Sequence, residues 1–117
     1  MDRNREAVVK VLFVCTLNKA RSVAAERLYR RTPGLSVRSA GISDRAAHQV
    51  TEADLVWADR VVVFEAEHER WIRATFSGDL PEILDAVVPD DFNDGDPALE
   101  SELIDALTPL LGTPGRH

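Results

Sequence analysis

The run Val8, Val9, Val11, Leu12, Phe13 and Val14 sets the centre of this chain. It is nearly continuous, apolar and rich in β-branched residues, which is the pattern of a parallel strand covered on both faces. A polar segment holding the single cysteine, Cys15, follows at once. Beyond it Ala24, Ala25 and Leu28 fall at helical spacing among good helix formers. Thr16, Leu17, Asn18, Lys19, Ala20 and Arg21 therefore lie between the carboxyl end of a strand and the amino end of a helix. In open α/β sheets ligands bind at such a junction, and the helix end favours anions.

The spacing gives the junction a chemistry. Five residues between Cys15 and Arg21 let the chain curl into a cup whose successive N–H groups form an anion-binding nest. Arg21 adds a planar fork of donors suited to two phosphoryl oxygens. Facing these positive groups, Cys15 is favoured as the nucleophilic thiolate. Ser22 is placed to donate its hydroxyl to the sulfur and improve it as a leaving group. Asn18 tolerates left-handed backbone angles and braces the loop with its amide. A lone cysteine at a strand end is otherwise a small buried hydrophobe. Asn18, Ser22 and the helix behind them favour the anion site over that plainer role.

Length and composition bound the remaining choices. A chain of 117 residues is read as one domain, 1–117, with a single core. One cysteine excludes an internal disulfide. The N-terminal apolar run is too short and interrupted to span a membrane. As a signal peptide its removal would delete the central strand, so the cytoplasm is the expected location, with no membrane partner. A net charge of −6 argues against nucleic acid. Residues 1–60 carry 11 Lys and Arg against 7 Asp and Glu, while residues 61–117 carry 3 against 13. The basic half holds the cup, as steering of an anion requires. His48, His68 and His117 show no paired spacing, so they are expected on the surface, with no metal site and no cofactor.

Along the chain, residues 1–7 form a polar leader. Thr32-Pro33-Gly34 ends the first helix, and residues 35–40 make a second strand turned by Gly41. Residues 42–50 are a loop. Thr51-Glu52-Ala53-Asp54 fits a capping box before a short helix. Val61-Val62-Val63-Phe64 is a third strand, residues 66–76 a helix with Trp71 and Ile72 inward, and residues 83–88 a fourth strand. Asp96-Pro97 opens a last helix with Leu99, Leu103, Ile104, Leu107, Leu110 and Leu111 inside, closed by Gly112. Four apolar strands alternating with helices predict an α/β fold, a small doubly wound parallel sheet with helices on both faces.

The sequence Val11-Leu12-Phe13-Val14-Cys15, then Asn18, then Arg21-Ser22, resembles the signature of the low-molecular-weight protein tyrosine phosphatases, most nearly a compact branch of that superfamily. Ser39-Ala40-Gly41, Gln49-Val50-Thr51 with Asp54, and Val88-Pro89-Asp90 agree with it in order. The resemblance implies a flavodoxin-like strand order of 2-1-3-4. It implies cysteine-dependent hydrolysis of phosphotyrosine or another aryl phosphate through a phosphocysteine, with residues 16–21 as phosphate-binding loop. Partners would then be a phosphorylated protein or a small aryl phosphate. Asp90 matches the general acid and Phe92 an aromatic flanking the substrate ring. Where the family has proline, this chain has Asp91, a second acid at the substrate rim, so the general acid is either Asp90, which the match favours, or Asp91. Leu17 replaces a glycine, and at positive φ it would cost about 1–2 kcal/mol. Ala20 replaces a second cysteine, and no further cysteine exists for the relay of a related arsenate reductase. Arg45 falls near the place of a loop-supporting histidine, in a stretch shorter than the family's. A phosphate-binding module without turnover is the alternative that keeps the same cup.

Overall fold

Alternation along the first strand builds the molecule. In the computed structural model, which describes residues 8–93 and 95–115, strand β1 spans Val9–Cys15. Val11, Phe13 and Cys15 enter one core, and Leu12 and Val14 enter the other. Both faces of the strand are thus buried, as its unbroken apolar run requires. The polar leader of residues 1–7, Asp94 and His117 lie outside the described residues.

The elements follow in the order β1, α1 (Arg21–Tyr29), β2 (Leu35–Gly41), α2 (Glu52–Trp57), β3 (Arg60–Val63), α3 (Ala66–Thr75), β4 (Glu82–Asp85) and α4 (Pro97–Leu111). All strand pairs are parallel, and the sheet order is β2-β1-β3-β4. This is the small doubly wound sheet that the sequence predicts. Helices α1 and α4 cover one face, where Tyr29, Leu99, Leu103 and Leu107 close over Phe13 and Phe64. On the other face Leu55 of α2 and Ile72 of α3 pack on Leu12, Val14, Val61 and Val63.

Local signals set the helix ends. Thr51 and Asp54 form the predicted capping box, and Asp96 caps α4 with Pro97 in its first turn. No helix of the described residues is long and apolar enough to cross a membrane.

Two expectations need correction. The fourth strand ends at Asp85 rather than running to residue 88. Asp85 Oδ1 takes the N–H of Val87 at 2.9 Å, and Val87 turns to φ 55°, which breaks the extended run. His68, expected on the surface, is fully buried because it holds together two loops beneath the sheet's carboxyl edge.

Candidate active site

At the carboxyl edge of the sheet, residues 16–20 link Cys15 to the first turn of α1. Asn18 takes φ 54°, while Leu17 does not have positive φ. The left-handed angle therefore falls on asparagine, which tolerates it, and the strain conditionally expected of leucine does not arise. Loop carbonyls are held from outside the bend. Cys15, Thr16 and Leu17 accept from the N–H groups of Ile42 (3.0 Å), Ser43 (2.9 Å) and Ala47 (3.2 Å). The segment 42–50 is thus the outer brace of the loop. Gly41 permits this close approach, since a Cβ there would lie 2.6 Å from Thr16 O and 2.8 Å from Asn18 N.

Side chains hold the loop from within. Cys15 Sγ lies 3.0 Å from Ser22 Oγ, and Asn18 Nδ2 donates to the same hydroxyl at 3.0 Å. The Ser22 hydroxyl thus bridges Cys15 and Asn18, and its own proton is available to a Cys15 thiolate. Cys15, Asn18, Arg21 and Ser22 are all buried. No side chain caps the amino end of α1, in contrast to α2 and α4. Its first amides have no side-chain acceptor, and successive N–H groups around a left-handed residue are the kind of backbone that can form an anion-binding concavity.

Arg21 is gripped from two later loops. Its Nη1 donates to Glu65 Oε2 at 2.7 Å and to the carbonyl of Val88 at 2.8 Å, and its Nη2 lies 3.8 Å from Asp90 Oδ2. The sequence reading missed Glu65, which sits at the amino end of α3 but turns its carboxylate to Arg21 instead of its own helix.

His68 was likewise missed as a site residue. Its Nδ1 accepts the N–H of Phe64 at 3.2 Å, which leaves the proton on Nε2 to be donated to Thr16 Oγ1 at 3.1 Å. Burial, reinforced by the nearby Arg21 charge, lowers its pKa to about 4 against the upward pull of Glu65, Asp85 and Asp90. It is a neutral strut near neutral pH. Arg45, near which a supporting histidine was expected, is exposed, and its N–H bonds Ser43 Oγ. The chain signalled His68 only as the one histidine inside a helical segment that follows a buried strand.

These elements enclose a cavity of about 190 Å³ lined by Cys15, Thr16, Leu17, Lys19, Ala20, Arg21, Asp90, Phe92 and Asn93. The structure thus brings Cys15, the loop, Arg21, Asp90 and Phe92 to one place. Asp91 is exposed and stands outside that lining, whereas Asn93 is part of it. Ser22 and Asn18 lie behind the sulfur. Among the described residues no group of three or more His, Cys, Asp or Glu is placed to hold a metal ion. The arrangement offers a thiol, a paired guanidinium, open helix amides and a carboxylic acid around one small anion-sized space.

Solved structures share this architecture. The low-molecular-weight protein tyrosine phosphatase of Streptococcus pyogenes superposes with a TM-score of 0.71 at 18% identity, over 89% of this chain and 94% of that one. The tyrosine phosphatase Wzb of Escherichia coli K30, in complex with phosphate, gives 0.67 at 22% identity, over 85% and 93%. The YwlE arginine phosphatase of Geobacillus stearothermophilus gives 0.60 at 23% identity, over 93% and 99%. No protein-family model and no curated protein matches the chain. The fold is that of the low-molecular-weight protein tyrosine phosphatases.

Proposed function

We propose that this protein is a cysteine-dependent phosphatase acting on phosphotyrosine or another aryl phosphate monoester. The observation that supports it is the shared lining of one cavity by Cys15, the 16–21 loop, Arg21 and Asp90. The Cys15 thiolate attacks phosphorus in line, forming an S–P bond as the aryl P–O bond breaks. Asp90 gives its proton to the departing phenolate oxygen. Water then attacks phosphorus, the S–P bond breaks, and Asp90 takes the water's proton as phosphate leaves. Arg21 and the loop amides hold the equatorial oxygens in both steps, and the Ser22 hydroxyl stabilises the sulfur as it departs.

Asp90 is favoured over Asp91 as the acid because it lines the cavity and Asp91 does not. Its carboxylate near Arg21 also gives a reason for its placement: a bound phosphoryl group would compete for Nη2 and release the acid toward the leaving oxygen.

The test is turnover of p-nitrophenyl phosphate by the wild type, Cys15→Ser and Asp90→Asn. Activity abolished in the first variant and strongly reduced in the second is expected. Activity surviving Cys15→Ser would remove the reading. Vanadate binding without turnover would mark the phosphate-binding module instead. Because one neighbour is an arginine phosphatase, phosphotyrosine and phosphoarginine belong in the same assay, and preference for phosphoarginine would replace the substrate class.

A further inference from the structure

Four large hydrophobic residues of the described chain are exposed: Val8, Leu17, Val56 and Val87. Single exposed hydrophobes are ordinary. None of the four belongs to either core, and Leu17 differs from the others because it lines the cavity that holds Cys15. It is 43% exposed there. Its backbone serves the loop, through the carbonyl that Ala47 holds and through an unstrained φ, and neither role needs a leucine side chain.

Phe92 is the other large apolar residue of the lining, half-buried against the core of the α1 and α4 face. The braced segment 42–50 contributes no residue to the cavity and contains no Phe, Tyr or Trp. The large apolar side chains of the lining are therefore Leu17 and Phe92, which share the cavity with the small Ala20 and with the polar Thr16 and Arg21.

We infer that Leu17 is a specificity-determining residue whose side chain, with Phe92, receives the flat ring of an aryl leaving group. The inference rests on the phosphatase reading above and assigns to Leu17 the contact that separates aryl from alkyl phosphates. A phenyl or naphthyl ring removes the exposed Leu17 methyl groups from water, whereas glycerol, polar over its whole surface, gains nothing by covering them. The ring's contact persists from bound substrate to transition state, so its loss is read mainly in KM.

The experiment compares kcat/KM for phenyl phosphate, 1-naphthyl phosphate and glycerol 2-phosphate in the wild type and in Leu17→Ala, with inorganic phosphate inhibition measured on both. Leu17→Ala should reduce the aryl-to-alkyl ratio about fivefold, as removal of roughly one to two methylene contacts predicts. The loss should be larger for naphthyl than for phenyl. Leu17→Met, which restores apolar reach, should recover most of the ratio. An unchanged ratio, or equal loss on all three substrates together with weakened phosphate inhibition, would overturn the inference, since it would show Leu17 acting only on loop shape. Wild-type protein that turns over none of the substrates would overturn the phosphatase reading and this inference together. Wild-type turnover with an unchanged ratio would overturn the inference alone.

Discussion

Arg21 Nη1 and Glu65 Oε2 lie 2.7 Å apart, joining the end of the loop to the start of α3 across 44 residues of chain. The guanidinium is 2% exposed and the carboxylate 37%, so the pair is partly desolvated and its geometry is constrained from one side by the Val88 carbonyl. A charge-assisted bond of this kind orients the fork that the loop itself cannot orient.

Removing Glu65 should therefore damage both stability and phosphate handling. Glu65→Ala is expected to destabilise by about 2 kcal/mol, because a buried cation loses its 2.7 Å charged partner and keeps the Val88 carbonyl and the more distant, more exposed Asp90 carboxylate. The same variant should lose about tenfold in kcat/KM, the worth of about 1.4 kcal/mol of transition-state stabilisation. Glu65→Gln keeps an acceptor and should fall between. Urea denaturation and p-nitrophenyl phosphate kinetics check the two effects.

The buried His68 makes stability depend on pH. Its folded pKa of about 4 lies below the ordinary 6.5, so the unfolded chain binds the proton more readily. Its contribution is full above about pH 6.5 and is lost as pH falls toward 4, up to about 3 kcal/mol across that window. His68→Gln should flatten the pH dependence of unfolding between those limits and lower stability at pH 7 by about 1–2 kcal/mol through the lost strut to Thr16. A variant whose unfolding retained the wild-type pH profile would show that another group titrates.

Gly41 is the position where a single methyl should do most harm. Its Cβ would meet two backbone atoms of the loop and the Ala46 side chain at 2.8 Å or less, and backbone cannot rotate away. Gly41→Ala should cost about 2–3 kcal/mol by overpacking, with activity lost because the loop is displaced. Thermal unfolding and vanadate binding would read both.

Val87 should respond in the opposite direction. A β-branched residue at φ 55° is strained, and its side chain is 72% exposed, so little packing compensates. Val87→Asn, which tolerates the left-handed region, should stabilise by about 1 kcal/mol, raising Tm by roughly 4 °C for a domain of this size. A lower Tm would mean that Val87 is held there by contacts stronger than its strain.

Where local pattern carries the information, sequence and structure agree. The run ending in Cys15 becomes β1, and Thr51 and Asp96 cap their helices as their neighbours predict. Asn18 takes the left-handed angle its side chain permits. Where a partner lies far along the chain, pattern is silent. His68 reads as a surface histidine because nothing in a helix of charged residues signals a bond to Thr16, 52 positions earlier. The fourth strand is overextended in the reading because an apolar stretch such as Ala86-Val87-Val88 does not reveal a turn made by the Asp85 side chain.

The amino-acid order by itself determined the strand-loop-helix junction and the close grouping of Cys15, Arg21 and Ser22 on it, because backbone preference and short spacing act within a few residues. Only the tertiary structure decided what grips that junction: Glu65 and Val88 on Arg21, His68 on Thr16, and residues 42–50 on the loop carbonyls. Those bonds depend on which strands become neighbours in the sheet, and that choice is made by burial of the whole core and not by any one segment.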